Sequence, residues 1–87
     1  MKYFLISEIS RNTGDVKNIG LVINIQDAVS FIQAVNSECG EMTTRHVPNE
    51  ETGLWSTEFR FEHSQCNYFV VEEVKVIQNV QNQKVYY

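Results

Sequence analysis

The chain has 87 residues, 43% of them apolar, and a net charge of −4 from seven basic and eleven acidic side chains. That length makes one domain, residues 1–87, and the apolar share is that of a globular chain rather than a disordered one. The basic residues Lys2, Arg11, Lys17, Arg45, Arg60, Lys75 and Lys84 are scattered. They form no track that could neutralise phosphates, so direct nucleic-acid binding and docking to an anionic membrane are not expected.

The first predicted strand is Lys2–Ser10. Its apolar run, Tyr3 to Ile6, stops well short of the roughly 7–15 residues of a signal-peptide core and the roughly 20 of a membrane helix. Arg11 to Asp15 (RNTGD) places asparagine, glycine and aspartate where a tight turn needs them. The second strand, Val16–Asn24, sets Ile19, Leu21 and Ile23 on one face by alternation, and the pair reads as a hairpin.

A helix is predicted from Asn24 to Gly40. Asn24 suits the N-cap, and Gly40 suits a left-handed C-terminal position. Ile25, Ala28, Ile32, Val35 and Cys39 repeat every three or four residues, with Val29 and Phe31 flanking, so one face is apolar. Further strands follow at Met42–Val47, Leu54–Glu62 and Asn67–Ile77, then an amide-rich tail expected to fray. In the fourth strand Trp55, Thr57, Phe59 and Phe61 alternate with Leu54, Ser56, Glu58, Arg60 and Glu62. The order ββαβββ implies an α+β domain, a mostly antiparallel sheet of about five strands with one helix on one face.

Two sets of residues could carry chemistry. Cys39, His46, His63 and Cys66 offer two thiolates and two imidazoles, the donors zinc takes. Their spacing matches no zinc module, and Cys39 on the apolar face of the helix reads as a small buried hydrophobe. Cys66 beside His63 also has the makings of a thiol nucleophile, but no helix N-terminus or strained turn precedes either cysteine. A metal or thiol protein is therefore the alternative. The leading expectation is a cytosolic (cytoplasmic) chain with both thiols reduced, no cofactor and no catalysis.

The second set is acidic. With Ser64 and Gln65 as a two-residue tip, Thr57 faces Glu72, and a carboxylate points into the core. Slipping the register by one residue moves the conflict to Glu73. A bulge at Glu72 and Glu73 removes it, and places Phe69 and Val71 with Val74 and Val76. In the first register the side away from Trp55 carries Leu54, Glu58, Arg60, Glu62, Phe69, Val71 and Ile77. Together with Glu50 and Glu51, these carboxylates form an acidic surface suited to a basic partner. Glu58, Arg60, Glu62, Phe69, Glu72 and Glu73 are the expected contact residues.

In size and acidity the chain resembles the small phage and mobile-element inhibitors, anti-CRISPR proteins among them, which occlude nucleic-acid-binding surfaces of other proteins. That likeness is one of class and rests on no motif. It implies a non-enzymatic inhibitor with a protein partner. A structural homodimer, joined by a strand edge or the uncovered sheet face, is the further reading.

Overall fold

In the computed structural model the described residues are 2–48, 50 and 53–74. They form five strands and one helix: β1 (Tyr3–Ile9), β2 (Val16–Val22), α1 (Ile25–Val35), β3 (Met42–Pro48), β4 (Trp55–Phe61) and β5 (Tyr68–Val74). All four strand pairings are antiparallel, and the sheet runs β2-β1-β5-β4-β3. The architecture is the expected α+β one. The fifth strand's expected continuation to Ile77, and the tail beyond it, lie outside the described residues.

Local chemistry sets each boundary. Between β1 and β2 the Ser10 N–H donates to Asp15 O at 2.9 Å and the Gly14 N–H to Ser10 O at 2.8 Å. Gly14 takes φ +77°, a conformation glycine adopts without cost. At the start of α1, the Asn24 side chain accepts from the Asp27 N–H at 2.9 Å, satisfying one of the orphan donors of the first turn.

The helix ends at Val35, short of the predicted Gly40. Asn36 is the reason. Its Nδ2 donates back to Ile32 O at 2.7 Å and its backbone N–H to Gln33 O at 3.3 Å, taking carbonyls that a continuing helix would have used. Cys39 therefore lies in a loop, not on the helix.

The core lies between α1 and the sheet: Ile6 from β1, Ala28 and Ile32 from α1, Phe59 and Phe61 from β4, and Phe69 and Val71 from β5. Phe61 and Phe69 meet edge to face, with centroids 6.4 Å apart. α1 packs over β1, β2 and β5. That position explains Trp55: it alternates with core residues as predicted, yet is 60% exposed, because α1 does not reach its end of β4.

Two register details differ from expectation. β4 and β5 pair as Phe59 with Phe69, Thr57 with Val71 and Ser56 with Glu72, one residue from the two-residue-tip alignment. The turn from Glu62 to Asn67 is longer than that tip and is closed by the Cys66 N–H on His63 O at 3.1 Å. Glu72 then leaves the core face. Glu73 comes to the helix side at its rim, where Lys2 Nζ lies 3.2 Å from it. The ladder through Glu72 and Glu73 is continuous, so no bulge is needed there. The irregularity is on the β1–β2 pair, at Ile6/Ser7, where Ile6 faces Gly20 and Ser7 faces Asn18. It turns Ile19 toward the core, while Leu21 stays 59% exposed, which breaks the predicted Ile19–Leu21–Ile23 face.

Candidate functional site

The Cys39–Cys66 pair is a disulfide, with Cα atoms 6.1 Å apart and a sequence separation of 27. The expectation of two reduced thiols is thereby overturned. The bond joins the loop after α1 to the β4–β5 turn, alongside the Glu62 N–H on Glu41 O (2.8 Å) and the His63 N–H on Cys39 O (3.1 Å). It also removes both sulfurs from the zinc and nucleophile readings. His46 is apart from them on β3, with Nδ1 3.1 Å from Thr57 Oγ1. Among the described residues no three His, Cys, Asp or Glu side chains gather into a metal-holding group.

The predicted acidic contact set is divided by the fold. Phe69 is a correction: it is 2% exposed and belongs to the core, because the one-residue slip turns it toward α1. Glu58 and Arg60 do share the helix-free face. There the Arg60 Nε donates to Glu58 Oε1, and the guanidinium carbon stands 4.0 Å from the centroid of the Tyr68 ring. The bond to Glu58 holds the Arg60 pKa above its ordinary value, despite some opposing desolvation.

Glu72 lies on the same face, opposite Leu5 and Ser56, and Arg45 lies opposite Glu58. Two bases thus balance two acids on this surface, and Tyr3, Leu5, Ile9 and Val70 separate them. Glu73 is on the other face with Lys2. Glu62 is in the β4–β5 turn against Gly40. Glu50 is exposed, and Glu51 lies outside the described residues. Among the described residues no continuous acidic array results.

A different region stands out, one the sequence reading did not select. Of the six large hydrophobic residues exposed among the described residues, five belong to β2, α1 or the link between them: Val16 (64%), Leu21 (59%), Ile23 (61%), Phe31 (39%) and Val35 (55%). Leu21 and Phe31 border a groove whose remaining lining is Ile6, Ile19, Gly20 and Val22. The space is left by Gly20, whose missing Cβ would meet no heavy atom within 4 Å. β2 is also an edge strand, paired on one side only.

This surface is poor in charge. Residues 16–37 contain only Lys17 and Asp27, in a chain with eighteen charged side chains. Exposed apolar side chains together with depleted charge are the marks of the centre of a protein–protein contact. The sequence signal was present in Phe31 and Val35, four residues apart, but periodicity does not say which apolar side chains a fold leaves uncovered. The chain matches no protein-family model, and neither the curated proteins nor the solved structures yield a match.

Proposed function

We propose that this chain is a non-catalytic protein-binding module whose contact surface is the β2–α1 side. The observation that carries the reading is the uncharged groove beside the free edge of β2, bordered by exposed Leu21 and Phe31. Burial of apolar area drives such contacts, and a groove beside a free strand edge offers both apolar pockets and backbone hydrogen bonds.

Occlusion of a basic, nucleic-acid-binding surface in the manner of a phage inhibitor is the weaker version. Glu58 is already held by Arg60, and Glu62, Glu72 and Glu73 point to separate regions. No helix among the described residues is long and apolar enough to cross a membrane. The disulfide favours a compartment oxidising enough to keep it, rather than the cytoplasm.

The test is site-specific photo-crosslinking in lysate of the source cells, with the photoreactive residue placed at position 21, 31 or 45. Adducts to protein from positions 21 and 31, with none from 45 on β3, are expected. Adducts from 45 alone, or from no position, overturn the reading.

A further inference from the structure

We infer that the Cys39–Cys66 disulfide is a redox switch for the groove beside β2. Oxidised, it holds the last turn of α1 in place and with it the Phe31 wall; reduction lets that turn unwind. This regulation acts on the contact site proposed above and rests on that reading.

α1 contributes one side chain to the groove, Phe31, while Ile6, Ile19, Gly20, Leu21 and Val22 come from β1 and β2. The groove therefore lasts only as long as the second half of α1 stays wound and docked. Little else secures that half. From Phe31 to Val35 only Ile32 is buried. At 11 residues α1 is shorter than the roughly 12–15 below which a helix is marginal on its own. Ile25, Val29, Ile32 and Val35 are β-branched, which lowers helix propensity further.

The first end of α1 is fixed by the Asn24 cap and by the short link through Ile23 to β2. The last end depends on Cys39. Asn36 closes α1 through Ile32 O and Gln33 O. Asn36 is itself held by the Cys39 N–H, which donates to its carbonyl at 2.9 Å, and Cys39 Sγ lies 3.7 Å from its Oδ1. Cys39 in turn is bonded to Cys66. A chain of direct contacts thus runs from the disulfide through Asn36 to the turn beside Phe31.

Without the bond, residues 36–41 can extend about 20 Å before β3 begins, so they place no tight limit on α1. With it, only Asn36, Ser37 and Glu38 separate the helix from a fixed point. The two backbone bonds alongside, from Glu62 to Glu41 O and from His63 to Cys39 O, lie among exposed Glu41, Glu62 and His63, where water competes for the same groups.

Both cysteines are half-buried rather than enclosed, which leaves them open to thiol–disulfide exchange. A dithiol reductant supplies the two electrons. One of its thiolates attacks a cysteine sulfur, the S–S bond breaks, and the other cysteine leaves as a thiolate. The second thiol of the reductant then displaces the first cysteine, and the reductant's two protons end on the two cysteine thiols. The groove is thereby formed in an oxidising compartment and withdrawn in a reducing one.

The experiment compares backbone NMR spectra of the full chain, oxidised and with dithiothreitol, at a temperature where the reduced chain stays folded. On reduction the Cα shifts of Phe31 to Val35 should lose about half or more of their helical offset, while Ile6, Phe59 and Val71 keep strand values. In the crosslinking assay, a Cys39→Ser, Cys66→Ser chain with the photoreactive residue at position 21 should lose adducts in the same proportion, because only the docked fraction binds.

Helical shifts that survive reduction overturn the switch. A loss of all shifts together overturns it as well, since the bond would then support the whole fold and not α1. Equal adducts from the oxidised chain and the serine chain remove the switch alone and leave the binding-module reading in place. Helical shifts that fall, with no adduct from position 21 or 31 in either form, uphold the unwinding of α1 and remove the binding-module reading.

Discussion

Phe59 and Phe69 stand directly opposite each other on β4 and β5, and each is 2% exposed. This pairing sets which face every residue of the two strands presents. It sends Val71 to the core and Glu72 to the open face. Truncating either ring removes buried area and leaves a cavity that a core packed on one side by a single helix is poorly placed to close. Phe69→Ala is expected to cost about 3–5 kcal/mol by urea denaturation, against less than about 1 kcal/mol for Trp55→Ala at its exposed position. Equal costs would mean that the register is wrong.

Gly40 sits at φ +87°, and a Cβ there would lie 2.7 Å from Glu62 Oε1 and 2.9 Å from Glu62 Cβ. Gly40→Ala is therefore strained in two ways, by backbone conformation and by contact. It should destabilise the chain by more than about 1 kcal/mol. Adding Glu62→Ala should return the part due to the carboxylate and leave the part due to backbone conformation and to the contact with the Cβ of residue 62. A double-mutant cycle on thermal unfolding measures the division.

The Cys39–Cys66 bond closes a loop between the lengths for which chain entropy gives about 3 and about 4.7 kcal/mol. Adding a dithiol reductant, which takes the two sulfurs to two thiols, should lower the melting temperature by more than about 10 °C in a chain of this size. Cys39→Ser with Cys66→Ser should melt at the reduced value with or without reductant. A melting curve indifferent to reductant would exclude the cross-link.

Arg60 is held by Glu58 and by the Tyr68 ring, with 43% of its side chain exposed. Solvent screens much of that attraction. Arg60→Ala should cost less than about 1 kcal/mol, and Arg60→Lys should recover little of the loss, because lysine lacks the planar fork that both bonds and stacks. Chemical denaturation of the three proteins at one salt concentration is the check.

Much of the fold was legible because strand alternation and helical spacing are local. Thr57, Phe59 and Phe61 announce a strand with one buried face, and Asn24 announces the start of α1. What was not legible depends on competition between neighbours. Asn36 ends α1 by bonding to Ile32 O, and only then is Cys39 free to reach Cys66. The extra residue on β2 turns Ile19 inward against simple alternation. The acidic contact set is divided by the fold for a related reason. A one-residue slip decides whether Phe69 is a surface or a core residue, and no local pattern specifies the register of β4 on β5.

The place of β5 in the sheet has a consequence for how the chain folds. The last described strand in sequence is the middle strand in space, with the β1–β2 hairpin on one side and the β3–β4 hairpin on the other. Each hairpin can form early from near neighbours. Joining them requires β5 to meet β1 across the length of the chain, as in the pairing of Ile6 with Val71. Closing so long a loop precedes any stabilisation from the contact, which slows folding into the range of about milliseconds to seconds. During synthesis the two hairpins wait, with apolar faces open, until Tyr68–Val74 emerges to join them.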